Sequence, residues 1–240
     1  MTKILLLDGR WSGERMDDLR RRYPQVNFVG VESRSDVTDL IVDADAVFGT
    51  LSDVEFAAAP KLRWIQSGSA GVEWLWKSPA VVESKVVVTN MRGAHAATIA
   101  EHAFGLLLFL TRGLRQFDEL QRQEVWARGQ RPINLRGIKG MTMGIIGFGN
   151  IGRAIARRAR GFELEVLAVD AQAVAGNDDV REVWKLDRLN DMCRASNVLA
   201  IAAPITPETR GMVGAEQLGL MPDGSYLLAM SRGGIVQETA

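Results

Sequence analysis

Cysteine, histidine and tyrosine are scarce in this chain: 240 residues hold one cysteine, two histidines and two tyrosines. The lone Cys193 excludes an internal disulfide and fits a reducing compartment. Net charge is also missing, because 29 Lys and Arg residues balance 29 Asp and Glu residues. No overall field therefore recruits nucleic acid or an anionic membrane surface. The local clusters Arg20–Arg22 and Arg157, Arg158 and Arg160 fall in the later turns of expected helices, where they read as solvated faces that complement the helix dipole. Long apolar runs are absent too. The longest, Ala103 to Leu110 apart from Gly105, falls far short of the roughly twenty residues that cross a bilayer, and it reads as a buried helix segment. The opening MTKILLLDG carries no basic stretch followed by a long apolar run, so a secretory signal is not expected there and the cytoplasm is the expected compartment. No metal site is expected.

What the chain does have is apolar residues, 47% of the total, enough for packed cores. They arrive as short runs alternating with polar, helix-compatible stretches. Ile4–Leu7, Val26–Val29, Ala46–Phe48, Leu62–Ile65 and Val86–Thr89 read as strands, with helices over Glu14–Arg22 and Asp36–Val42. A second series has strands near Met141–Gly147, Leu164–Asp170, Val198–Ala203 and Tyr226–Ser231, with a helix over Ile151–Arg160. Such alternation predicts two α/β units built on parallel sheets covered by helices. Between them, Ala97 to about Arg122 predicts one long helix bridging the domains.

The stretch Met141–Gly152, MTMGIIGFGNIG, places Gly147, Gly149 and Gly152 at G-x-G-x-x-G spacing between a strand and a helix. The three glycines serve different ends. Gly147 permits the tight turn, Gly149 lets the backbone approach a pyrophosphate, and Gly152 allows close helix packing. The helix start then turns unpaired N–H groups and a positive dipole end toward phosphates. Phe148, Asn150 and Ile151 line the same turn. Asp170, eighteen positions after Gly152 at the end of the next apolar run, can accept hydrogen bonds from an adenine ribose and repels a 2′-phosphate. That predicts NAD rather than NADP. The competing reading of Asp170 is a solvated loop residue.

Four ordered motifs together resemble the D-isomer-specific 2-hydroxyacid dehydrogenase family. They are the loop Ser67–Glu73, SGSAGVE; the stretch Gly93–His102, GAHAATIAEH; the glycine fingerprint preceded by Leu135–Gly140, LRGIKG; and the set Ala203–Gly211, Met221–Gly224 and Met230–Val236. The resemblance covers essentially the whole chain. It implies a flavodoxin-like substrate domain over residues 1–96 and a Rossmann, doubly wound NAD-binding domain over residues 97–240, both incomplete at the C-terminus. The active site is implied in the cleft between them, with reversible hydride transfer between NAD(H) and a D-2-hydroxy acid or its 2-oxo acid.

The resemblance also implies roles. Backbone N–H groups of Ala70 and Gly71 would hold the substrate carboxylate, as N–H nests hold anions; a plain tight turn is the alternative. Arg232 matches the catalytic arginine, whose planar charged fork binds the carboxylate and keto oxygen together and stabilises oxyanion charge. Thr98, Ala203, Pro204 and Met230 match positions along the cofactor groove, as does Ile99, which a helix core explains equally well. Trp74 and Trp76 either shape a pocket or pack into the core. The helix Ala97–Arg122 and the segment with Trp126 resemble a dimer-forming region, so a homodimer is expected.

In the family a histidine supported by a glutamate supplies the proton, and both lie after the arginine motif. Ala240 stands eight residues beyond Arg232. Glu238 does not match the catalytic glutamate, and His95 and His102 match non-catalytic places and read as satisfied structural histidines. A truncated member with little activity on its own is therefore the expectation, since losing a general acid costs about 10²- to 10⁴-fold in rate. The alternative is a non-catalytic NAD-binding or interaction protein on the same scaffold. Glyoxylate, hydroxypyruvate, phosphoglycerate and bulkier acids all remain open as substrates. A methyltransferase would share the glycine turn and the ribose acid, but it leaves the Arg232 motif and the substrate loop unexplained.

Overall fold

A computed structural model of the chain describes residues 1–7, 9, 11–126, 135–172, 176–180 and 182–240. It divides into two compact units, Met1–Ala94 and His95–Ala240.

The first unit contains β1 (Thr2–Leu6), α1 (Glu14–Arg22), β2 (Val26–Gly30), α2 (Val37–Leu40), β3 (Ala46–Phe48), α3 (Asp53–Ala57), β4 (Trp64–Gln66), α4 (Pro79–Glu83) and β5 (Val87–Thr89). The strands form one parallel sheet in the order β2-β1-β3-β4-β5, which is the flavodoxin-like order. Alternate residues serve opposite faces. Leu5, Val47 and Ile65 pack on one side with α2 residues Val37 and Leu40, whereas Leu6 joins Met16 of α1 and Phe28 on the other. Two buried faces explain why these strands read as unbroken apolar runs. Toward the β5 edge the second face is less covered: the register pair Trp64 and Val87 is 41% and 58% exposed.

Helix α1 has Glu14 and Asp17 in its first turn and Arg20–Arg22 in its last, a charge order that suits the helix dipole. The helix expected over Asp36–Val42 is instead a 3₁₀ turn, Arg34–Asp36, followed by the single turn α2. A capping box starts α3. Ser52 Oγ accepts the Glu55 N–H, and Glu55 Oε2 accepts the Ser52 N–H at 2.8 Å.

The second unit contains α5 (Ala96–Thr111), α6 (Leu114–Arg122), β6 (Thr142–Ile146), α7 (Asn150–Gly161), β7 (Glu165–Val169), β8 (Val183–Trp184), α8 (Leu189–Ala195), β9 (Val198–Ile201), α9 (Ala215–Leu220) and β10 (Tyr226–Ala229). Its parallel sheet runs β10-β9-β6-β7-β8. This is a doubly wound order, with the first strand β6 inside the sheet and later strands added on both sides of it. The two-residue strand β8 is not predicted from sequence because so short a run has no periodicity to detect.

The single helix expected over Ala97–Arg122 is two. Gly113, at φ 60° and ψ 30°, adopts the left-handed conformation that ends α5 and starts α6. Helix α5 buries Ala100, Ala103, Phe104 and Leu107 in the core it shares with α7 residues Ile155, Ala156 and Ala159. Phe104 stacks on Phe162 with ring centroids 5.0 Å apart, and Arg158 of α7 pairs with Glu101 at 2.7 Å. The expectation that Ala103–Leu110 is a buried segment holds for only one face of the helix. Leu106, Phe109 and Leu110 are exposed, continuing through Leu114 and Phe117 of α6. An all-round apolar sequence conceals this division, because each side of the helix looks equally fit for burial.

Among the described residues no helix is long and apolar enough to cross a membrane, and no cluster of three His, Cys, Asp or Glu side chains could hold a metal ion.

Candidate cofactor and substrate site

The parallel registers of the second sheet align one row of residues just past its strand ends. Ile146 pairs with Val169 and with Ile201, and Ile201 pairs with Ala229. The next residue of each strand is therefore Gly147, Asp170, Ala202 and Met230. Continuing hydrogen bonds hold the row: Gly147 N donates to Val169 O at 2.8 Å, Ala202 N to Ile146 O at 2.8 Å, and Met230 N to Ile201 O at 2.9 Å. The strand order reverses between β6 and β9, and open α/β sheets bind ligands outside the carboxyl ends at such a switch point.

The three glycines of the turn differ in their surroundings. Gly147 has φ 90°, and a Cβ on it would stand 2.6 Å from the Ala203 nitrogen. A Cβ on Gly152 would stand 2.1 Å from the Gly147 carbonyl oxygen, so the first turn of α7 lies directly on the loop. A Cβ on Gly149 meets nothing within 4 Å among the described residues. That glycine caps α7 beside the exposed Asn150, leaving open space at the start of a helix of 12 residues, where a pyrophosphate fits. Phe148 is buried in the core with the Arg153 guanidinium 4.5 Å from its ring centre, and Ile151 packs against the same core.

Asp170 is tied to this turn. Its Oδ2 accepts the Phe148 N–H at 2.7 Å and its Oδ1 accepts the Gln172 N–H at 2.9 Å. Each carboxylate oxygen retains a lone pair for a ribose hydroxyl. The sequence predicts a ligand role for Asp170 but not this structural one, which spacing cannot display.

Along the rest of the edge, Ala203 is buried and Pro204 exposed. The loop after them is fixed by Thr209, whose Oγ1 donates to Pro204 O at 2.7 Å and accepts the Thr206 N–H at 2.8 Å. Met230 is half-buried against the core, Ser231 Oγ is buried without a hydrogen-bond partner among the described residues, and Arg232 is exposed. Thr98 lies in the first turn of α5, exposed, with Oγ1 donating to His95 O at 3.1 Å, while Ile99 is half-buried. His95 and His102 are both exposed; a packed imidazole is not the environment of either.

In the first unit, Ser67–Glu73 follows β4 at the carboxyl edge of its sheet. Ser67 is buried, and Gly68 passes over the Phe48 ring, 3.2 Å from where a Cβ would lie. Asn90 Nδ2 donates to Ala70 O at 2.8 Å and Met91 N to Ser69 O at 3.1 Å. Both anchors sit just past β5, and no sequence signal singles out either. Gly71 N donates to Ser69 Oγ at 3.1 Å, so an anion would gain that N–H in exchange for a neutral hydrogen bond. Ala70 and Gly71 are both solvent-accessible. Of the two tryptophans beyond them, Trp74 packs against the core with its Nε1 buried and without a partner among the described residues, and Trp76 is exposed.

Comparison with known proteins adds a second line of observation. The sequence profile described as D-isomer specific 2-hydroxyacid dehydrogenase, NAD binding domain, matches residues 104–240. A glyoxylate reductase of Korarchaeum cryptofilum is 32% identical over 215 residues, 87% of this chain and 64% of that protein. A D-3-phosphoglycerate dehydrogenase of Methanocaldococcus jannaschii is 29% identical over 184 residues, 76% of this chain and 34% of that protein. The chain thus spans less than two thirds of either relative. Among solved structures, a D-isomer specific 2-hydroxyacid dehydrogenase family protein from Aeromonas salmonicida superposes with a TM-score of 0.85 at 29% identity, covering 100% of this chain and 76% of that one.

Proposed function

We propose, since this chain belongs to the D-isomer specific 2-hydroxyacid dehydrogenase family, that it serves an oxidoreductase acting between a D-2-hydroxy acid and its 2-oxo acid. Residues 104–240 match the family's NAD-binding domain, and NAD is the cofactor. Bound NAD(H) supplies or accepts the hydride. The observation that carries the reading is the row at the sheet edge: the glycine turn, Asp170 and the Arg232 segment follow register-matched ends of parallel strands.

In this reading Gly149 and the start of α7 receive the pyrophosphate, with Phe148, Asn150, Ile151 and Gly152 forming the turn. Asp170 receives the adenine ribose, and Thr98, Ala203, Pro204 and Met230 border the cofactor. Arg232 binds the substrate carboxylate and polarises the carbonyl as negative charge develops on its oxygen. The N–H groups of Ala70 and Gly71 are assigned to a substrate carboxylate. Neither His95 nor His102 is assigned the proton transfer, so residues 1–240 alone are expected to bind cofactor and substrate better than they turn them over.

One exposed face supports the reading of assembly, and a second marks an uncovered part of the first sheet. The apolar row Leu106, Phe109, Leu110, Leu114 and Phe117 on α5 and α6 suits a second copy of this chain. The exposed Trp64 and Val87 on a parallel sheet suit a further covering helix outside residues 1–240. NADH oxidation followed with a panel of small 2-oxo acids tests the activity in the full-length protein. No acceleration with any of them, under conditions where NADH binds, overturns it.

A further inference from the structure

Arg232 lies on a loop that leaves the sheet after β10 and is tied down again a few residues later. On one side Met230 N donates to Ile201 O at 2.9 Å. On the other, the chain returns beside residues 211–213: Gly211 N donates to Gly234 O at 2.8 Å, Val213 N to Ile235 O at 3.2 Å, and Gln237 N to Val213 O at 2.9 Å. Val213 and Val236 form a parallel bridge, and Ile235 is buried in the β9 core beside Ile201 and Ala203.

The last tie is a side chain. Gln237 Nε2 donates to Gly211 O at 2.6 Å. Its amide fills the space left by two glycines: a Cβ on Gly214 would meet the amide at 2.8 Å, and one on Gly211 would stand 3.3 Å from Nε2. The turn that Gln237 grips is itself anchored. Gly214 N donates to Gln217 Oε1 at 3.1 Å, Gln217 Nε2 to Asn190 Oδ1 at 3.1 Å, and Asn190 Nδ2 to Glu216 Oε1 at 2.8 Å. Polar contacts thus anchor the 211–214 turn to α8 and α9, and Gln237 ties the loop carrying Arg232 to that turn.

We infer that Gln237 is a positioning residue for Arg232, holding the 232–237 loop against the 211–214 turn so that the guanidinium meets a 2-oxo acid without first ordering its own backbone. The inference rests on the reading of Arg232 as the group that binds the substrate carboxylate and carbonyl. A side chain that only orders the loop acts on substrate binding and leaves the pyrophosphate turn untouched, because that turn lies at the ends of β6 and β7.

The test is made in the full-length protein with Gln237→Met, which keeps length and removes the donor, and Gln237→Glu, whose carboxylate opposes the Gly211 carbonyl. A net hydrogen bond of ordinary strength corresponds to about a 3- to 10-fold rise in KM for the 2-oxo acid, with NADH affinity unchanged. Protonation lets the Glu variant donate again, so its defect relative to wild type shrinks as pH falls toward about 5, near the ordinary carboxyl range, and the Met variant shows no such recovery. Turnover that depends on Arg232 but is indifferent to both variants overturns the inference alone. A loss of NADH affinity in parallel with substrate affinity also overturns it, as general loosening of the unit. Absence of any 2-oxo acid reduction by the wild type overturns the underlying reading of Arg232 and the inference with it.

Discussion

The carboxylate of Asp170 and the backbone nitrogen of Phe148 are 2.7 Å apart, joining the end of β7 to the glycine turn after β6. In the proposed site, one side chain therefore shapes the loop that receives phosphates and faces the ribose of the same ligand. Asp170→Ala is expected to weaken NADH binding by about 10- to 100-fold, the range for hydrogen bonds to a charged group, without creating a preference for NADPH. Fluorescence titration with both cofactors checks this. Tighter NADPH binding by the unaltered protein would falsify the NAD assignment.

Gly152→Ala and Gly149→Ala should fail in opposite ways. The first pushes a methyl to 2.1 Å from the Gly147 carbonyl and should cost at least about 1–3 kcal/mol of stability, the range for overpacking. The second has open space, so its melting temperature should change little while NADH affinity drops. A Gly149 variant that binds NADH normally removes the pyrophosphate from that place.

Arg232→Gln removes a charge and a fork of donors from an exposed loop. In the full-length protein kcat/KM for the preferred 2-oxo acid should fall about 10²- to 10³-fold, as for loss of an oxyanion donor, with NADH affinity preserved. Steady-state kinetics beside a cofactor titration separates the two.

Glu55 is 6% exposed and joins Ser52 to Arg34, whose Nη2 lies 2.5 Å from Oε2. Burial pushes its carboxyl up, but hydrogen bonds from Ser52 and Arg34 outweigh it and the net shift is downward. The unfolded chain therefore binds the proton more readily. The resulting stability is present above the ordinary carboxylate range and is lost as pH falls through the lowered folded-state value. Urea melts from neutral pH down through the carboxylate range should show this loss. Glu55→Gln should cost about 1–2 kcal/mol at neutral pH and show a smaller decline over that window; an identical decline in both proteins excludes Glu55 as its source.

Leu110 is 53% exposed on the apolar row that crosses from α5 to α6. Sedimentation should show a dimer for the wild type and a monomer for Leu110→Asp with unchanged circular dichroism. A wild-type monomer at micromolar concentration disposes of the proposed self-association.

Strands were legible in the sequence wherever a short apolar run stood between polar stretches. Ala46–Phe48 and Tyr226–Ala229 lie where the runs predict; for Ala46–Phe48 the reason is burial, since a strand covered on both faces must be apolar throughout. The break at Gly113 was not legible. A glycine within an apolar-to-mixed stretch is compatible with a continuous helix until packing asks α5 and α6 to diverge. The exposed row on α5 was hidden for a related reason, since Leu106 and Leu107 look alike in sequence and only the position of α7 separates them.

Local chemistry made the glycine turn and the acid after the next strand legible, because a tight turn and a ribose each favour particular residue types at short spacing, whereas the arginine loop was legible only through the family resemblance. Tertiary structure decided what those residues touch. It set Asp170 on the Phe148 N–H and Gln237 on the Gly211 carbonyl. These contacts join residues 22 and 26 positions apart. Their geometry comes from parallel register and sheet order, which no local pattern encodes.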